Sequence, residues 1–162
     1  MRGLVFLLLL TATAWAQAPD ATIGRLMPGM TEHAVLSIQG PPARRENFSG
    51  RPAFSYLNPR DPRLVRIRVL FRDNLVSSIW GQSLEVGADL LVTGDTQSRV
   101  ETVLGPPDTA FEHYVSGSRA LERVLHYRTL GHYLTVFLQE GVVRSFRTAR
   151  APWRYGSGGS TD

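Results

Sequence analysis

The chain has 162 residues, 43% hydrophobic and 20% charged, which fits one domain or two very small ones and excludes a disordered or collagenous composition. It contains no cysteine, so a disulfide framework, a thiolate zinc site and a thiol nucleophile are all excluded. All 18 basic residues are arginine and 14 acids oppose them, giving a net charge of +4, too dispersed for a compact nucleic-acid binder.

Met1-Arg2-Gly3 is a short basic start, followed by the apolar run from Leu4 to Leu10 and the small-residue pattern Ala14-x-Ala16. These are the three regions of a cleavable secretory signal in order. The run falls short of the roughly 20 apolar residues that span a bilayer. Residues 1–16 are therefore expected to be removed, with the cut after Ala16 or Ala18, and no cysteine follows to carry a lipid. The expectation is a periplasmic or secreted protein with no membrane span and no lipid anchor.

Self-comparison exposes a repeat. Residues 27–42, from Met27 to Pro42, align with residues 92–107 at an offset of 65, and 6 of 16 positions are identical: Gly29, Thr31, Val35, Gly40, Pro41 and Pro42 recur as Gly94, Thr96, Val100, Gly105, Pro106 and Pro107. The match resumes at an offset of 67, where Phe71–Ile79 aligns with Leu138–Phe146. Thr31 and Thr96 suit helix N-caps. Val35 with Ile38, and Val100 with Val103 and Leu104, form helical stripes. Gly40 and Gly105 suit the left-handed position after a helix, and the prolines beyond them stop it. A further, weaker helical turn is expected before each cap, around Ile23–Leu26 and Leu84–Leu91, where Gly24 and Gly87 lower the propensity.

Strand chemistry follows each helix. Ile67, Val69 and Phe71 alternate with Arg66, Arg68, Leu70 and Arg72, and Asp73-Asn74 turns the chain into Leu75–Trp80. In the second half Leu134, Val136 and Leu138 alternate with Tyr133, Thr135, Phe137 and Gln139. Glu140-Gly141 then turns into Val142–Phe146. Earlier strands are expected at Phe54–Leu57 and Arg123–Arg128, with a loop at Asn58–Pro62. The architecture predicted is α+β: two tandem helix-helix-antiparallel-sheet repeats, residues 20–82 and 83–150, with the helices packed on one sheet face and three or four strands in each meander. Residues 151–162 have the composition of a flexible tail.

The run Gly29-Met30-Thr31-x-x-x-Val35-x-x-x-x-Gly40-x-Pro42, with Leu70-Phe71 and then Val76-x-x-Ile79, resembles the SmpA/OmlA family, which includes the small lipoprotein of the outer-membrane barrel assembly machinery. The resemblance covers about residues 22–149 and implies two helices on a three-stranded sheet and a role in envelope assembly or maintenance. A tandem pair of such units is also similar to the β-lactamase inhibitor protein family, whose sheet face is concave. This chain departs from both. It is duplicated and has no lipidation cysteine, unlike the first, and it has no disulfide, unlike the second.

The four histidines, His33, His113, His126 and His132, show no metal spacing; His126 and His132 flank a turn and could approach across it. No nucleophile elbow, phosphate loop or dinucleotide fingerprint is present, so no enzyme activity, metal or cofactor is expected. The parity of the strands places Arg66, Arg68, Arg72, His126, Arg128, Tyr133 and Phe137 on the face away from the helices. Arg, Tyr and Phe are types enriched where proteins meet, and an outward Phe137 asks for a partner. The expected function is a non-catalytic, exported protein-binding module of the bacterial envelope; the alternative is an inhibitor of a secreted or periplasmic hydrolase. No nucleic-acid partner is expected. Arg144, Arg147, Arg150 and Arg154 could make weak contact with an anionic surface.

Overall fold

The computed structural model describes residues 18–115, 117 and 119–152. The expected signal and the tail beyond residue 152 lie outside these. The elements run β1 (Ala21–Thr22), α1 (Glu32–Gln39), β2 (Arg44–Phe48), β3 (Arg51–Asn58), β4 (Asp61–Arg72), β5 (Leu75–Gly81), β6 (Ser83–Val86), β7 (Asp89–Val92), α2 (Gln97–Leu104), β8 (Thr109–Tyr114), β9 (Leu121–Arg128), β10 (Tyr133–Gln139) and β11 (Val142–Ala149).

The expected fold class is corrected by this architecture. The protein is mostly β, with one continuous eight-stranded antiparallel sheet, β2-β3-β4-β5-β11-β10-β9-β8, and a second, three-stranded sheet, β1-β6-β7. Among the described residues each half has one helix rather than two, and β5 and β11 pair directly and join both meanders. The weaker helical turns are also corrected. Gly24 and Arg25 both sit at φ +60°, which no right-handed helix contains, and Ile23 and Leu26 instead form a bridge across that turn. Leu84 faces Leu91 across a hairpin whose turn holds Gly87 at φ +57°.

The two helices do form where their caps dictate. Thr31 and Thr96 have nearly the same extended backbone, φ −77° and −78°, and each hydroxyl accepts from the backbone N–H three residues on, at 3.2 and 3.3 Å. Gly40 and Gly105 end the helices at φ 76° and 80°, a region where a side chain is strained. Each cap is also tied to a hairpin in the same way. Gly29 N–H donates to the Val76 carbonyl at 2.7 Å and Val76 N–H to Met30 at 2.8 Å; Gly94 and Val143, then Val143 and Asp95, repeat this at 2.8 Å each.

Register shows how the halves meet. β5 pairs with β11 as Gly81↔Phe146, Trp80↔Arg147, Ile79↔Thr148 and Ser78↔Ala149. A shift of 67 residues carries Trp80 onto Arg147, Ile79 onto Phe146 and Gly81 onto Thr148, so it maps this register onto itself. A local two-fold relation therefore passes through the Trp80–Arg147 pair.

Alternation along the strands sorts side chains onto two faces. Phe54, Tyr56, Ile67, Val69, Phe71, Val76, Ile79, Leu125, Leu134, Val136, Leu138 and Phe146 belong to a single core cluster. Ile23 and Leu26 beside β1, Val35 from α1, Leu84 and Leu91 from the small sheet, and Val100 and Leu104 from α2 complete it. The helices and the small sheet thus pack on one face of the large sheet. Each fully buried Leu, Ile, Val or Phe stabilises by about 1.5–3 kcal/mol relative to exposure.

Candidate functional site

The second face of the large sheet carries the side chains that alternate with the core. At its centre, beside the two-fold relation, Trp80 stacks on Phe137, with ring centroids 5.1 Å apart and planes 20° from parallel. The Arg147 guanidinium lies 5.8 Å from the Trp80 ring, within the range of cation–π attraction. Thr135 stands opposite Arg147 on one side and His126 on the other. Its hydroxyl lies 3.1 Å from His126 Nδ1, and the His126 ring is 5.4 Å from Phe111. One step outward, His113 Nε2 is 3.1 Å from a Glu122 carboxylate oxygen.

The other half of this face is charged. Arg68 Nε lies 3.3 Å from Glu46 Oε1 and donates at 3.3 Å to the Ser55 hydroxyl, while its guanidinium sits 4.1 Å from the Phe48 ring centre. Ser55 also donates to the Glu46 carboxylate. That hydrogen bond, followed by the charge of Arg68, holds the Glu46 carboxyl below its ordinary range, while desolvation opposes. Arg68 and Thr135 are equivalent under the 67-residue shift, and their neighbours on β3 and β9 are Ser55 and His126. One backbone frame thus presents an ion-paired cluster on one side and an imidazole–aromatic cluster on the other.

The seven residues expected on this face do not all share it in the expected way. Arg68, His126 and Phe137 belong to the clusters just described. Phe137 is corrected: it is 3% exposed and stacked on Trp80, not an outward aromatic. Tyr133 is half-buried with the Arg128 guanidinium 6.0 Å from its ring, and Arg128 itself is exposed. Arg72 is exposed at the β4–β5 turn. Arg66 leaves the set. Register steps from Tyr56↔Ile67 to Leu57↔Val65, so Arg66 is the extra residue of a β-bulge, and bulges re-aim side chains. Its Nη2 donates to Gln39 Oε1 of α1 at 3.2 Å, on the helix side.

His126 and His132 do not converge across their turn. His132 is 4% exposed and its Nε2 lies 3.2 Å from the Ala21 carbonyl of β1. Burial pushes its imidazole below the ordinary range, with the Ala21 hydrogen bond and Asp20 opposing. Among the described residues no group of three or more His, Cys, Asp or Glu is placed to hold a metal ion. Of the arginines expected at an anionic surface, Arg147 is 5% exposed beneath Trp80, Arg144 is exposed with Nε donating to Gln139 at 3.1 Å, and Arg150 is exposed. Arg154 lies outside the described residues. Trp80, Glu46, Ser55 and Phe111 were missed as site residues. The 67-residue offset marks Trp80 as the equivalent of Arg147, and the β5–β11 register is what sets the two opposite each other.

An open antiparallel sheet with both helices on one side and an aromatic–arginine centre on the other is the class these features define. No protein-family model matches the chain, and no curated protein matches it in sequence. In fold it is similar to a cysteine-rich secretory protein from Staphylococcus aureus, with 14% identity over 83% of this chain and 48% of that one and a TM-score of 0.55. It is likewise similar to an extracellular protein containing a SCP domain from Bacillus anthracis, at 11% identity, 76% and 44% coverage and a TM-score of 0.52. The chain therefore spans less than half the length of either structure. A suggested β-lactamase inhibitor protein from Streptococcus mutans aligns over 82% of this chain and 89% of that one, at 11% identity and a TM-score of 0.30. That last score carries no argument about fold, and none of these descriptions names the SmpA/OmlA family. Among the described residues no helix is long and apolar enough to cross a membrane.

Proposed function

We propose that this chain is a non-catalytic, exported module that binds a protein partner through the second face of its large sheet. The observation that carries the reading is the composition of that face: half-buried Trp80, Phe111, Tyr133, Arg68 and His126 gather around the buried Phe137 and Arg147 on the side away from the core cluster. Tyr, Trp and Arg dominate the energetics of protein interfaces because they bring large, semi-rigid contact area together with a polar tip. Stacked rings and a paired Arg68 also hold the face in one arrangement, which lowers the ordering cost of binding. Export is supported by the signal pattern of residues 1–16 and by the extracellular or secretory descriptions of the Bacillus and Staphylococcus proteins. The SmpA/OmlA resemblance over about residues 22–149 points to envelope assembly or maintenance as the setting.

The test is affinity capture from an envelope extract with the mature chain as bait. Tyr133→Ala combined with Arg128→Gln changes only half-buried or exposed side chains on this face, so folding is retained. The expected result is a partner whose recovery falls at least about tenfold, the loss of about 1.4 kcal/mol of binding. His33→Ala with Ser98→Ala on the two helices leaves recovery unchanged. Equal recovery with both double variants contradicts the proposal. A captured hydrolase that loses activity at equal stoichiometry assigns the mode of action as inhibition.

A further inference from the structure

The β4–β5 turn carries charge that neither the core nor the Trp80 cluster uses. A cavity of about 390 Å³ is lined by Arg72, Asp73, Leu75, Ser77, Arg150 and Ala151. Arg72 ends β4 and pairs with Leu75 at the start of β5, across the tight turn in which Asp73 and Asn74 both take positive φ, 53° and 62°. Arg150 arrives from the far end of the sequence. Beyond β11 its backbone N–H donates to the Ser77 carbonyl at 3.2 Å, so the chain continues alongside β5 and brings a second guanidinium to the same concavity. Ser77 is the extra residue of a bulge, between Leu70↔Ser78 and Phe71↔Val76, and its hydroxyl donates to the Leu70 carbonyl at 3.1 Å.

The charges in this cleft do not cancel. Among the described residues neither Arg72 nor Arg150 enters an ion pair, and Asp73, the one carboxylate in the lining, enters none either. Two cations against one anion leave a positive excess inside a concave wall, which concentrates field lines and draws in anions. Guanidinium groups present planar forks that match carboxylate and phosphate oxygens. Leu75 and Ala151 add an apolar wall for a small organic remainder.

We infer that this cleft is an oxyanion-binding site that takes a carboxylate or phosphate group between Arg72 and Arg150. It goes beyond the protein-binding reading, because a small anion would occupy it whether or not the Trp80 face has a partner. It also replaces the expected linear basic stretch: Arg150 works with Arg72 from the other half of the chain, while Arg147 lies beneath Trp80.

The test is a titration of the folded mature chain with inorganic phosphate and, separately, with acetate at constant ionic strength, following the arginine Nε–H resonances by NMR. Saturable shifts of Arg72 and Arg150 are expected with at least one of the two anions. Binding should weaken about tenfold in Arg72→Gln and in Arg150→Gln, the scale of losing one charge-assisted contact, and stay unchanged in Arg144→Gln. Co-sedimentation with phosphatidylglycerol vesicles but not phosphatidylcholine vesicles, lost in the same two variants, would assign a lipid headgroup as the source of the anion; saturation by the small anions without co-sedimentation would assign a free one. Linear shifts that never saturate with either anion, or an equal loss in Arg144→Gln, would overturn the inference.

Discussion

Val69 and Val136 occupy corresponding positions on β4 and β10, both fully buried at 0% exposure in the one core cluster. Truncating either to alanine removes two carbons worth about 0.8 kcal/mol each in transfer, and the residual cavity raises the loss to about 2–3 kcal/mol. Three strand spacings separate the two sites in the order β4-β5-β11-β10, about 14 Å at about 4.8 Å per strand. That exceeds the roughly 7–10 Å within which core substitutions couple, so the double variant should lose about 4–6 kcal/mol. Urea denaturation followed by far-ultraviolet circular dichroism and by tryptophan fluorescence measures this directly. The shared core demands one coincident transition for both probes in every variant. A loss below about 1 kcal/mol at either valine, or two separated transitions, would refute the placement of both halves on one core.

Gly81→Ala should destabilise by about 1–3 kcal/mol, because a Cβ there would lie 2.4 Å from Cγ2 of Ile23, which is 0% exposed and stiff at its branched carbon; an unchanged melting temperature would contradict the close approach of the β1 segment to β5. His132 supplies a pH dependence with a definite sign. The unfolded chain binds a proton near the ordinary imidazole value of 6.5, and burial lowers the folded value below that. Stability from this group is therefore complete above pH 6.5 and is lost as pH falls through the depressed folded value. Melting temperature should drop between about pH 7 and pH 5, and less steeply in His132→Gln; parallel slopes in the two proteins would remove His132 as the cause.

Local chemistry was legible in the sequence, and long-range assembly was not. The Thr31 and Thr96 caps, the Gly40 and Gly105 stops, and the Asp73-Asn74 and Glu140-Gly141 turns all form as expected, since each depends on a handful of neighbouring residues. The core side of β4 and β10 follows from strict alternation. Strands β2 and β8 escaped because they are edges: Arg44-Arg45-Glu46-Asn47-Phe48 buries little and is held by backbone pairing to β3. The Leu84–Leu91 segment is expected as a helical turn before the Thr96 cap, whereas Leu84, Val86 and Leu91 are buried in a two-stranded hairpin. Phe137 was read as outward because its cover, Trp80, is distant in sequence and reaches it only once β5 and β11 pair. Arg66 was misplaced by a single bulge, which no periodicity announces.

Site-specific photo-crosslinking tests the working face most directly. A photoreactive residue placed at Tyr133, on the same face of the sheet as the Trp80–Phe137 stack, is compared with one at Ser98 on the exposed side of α2, each irradiated in envelope extract. An adduct of one defined protein from position 133 and none from position 98 is the result expected. An adduct from position 98 alone, or from neither position, would contradict the assignment of partner binding to the second face of the sheet.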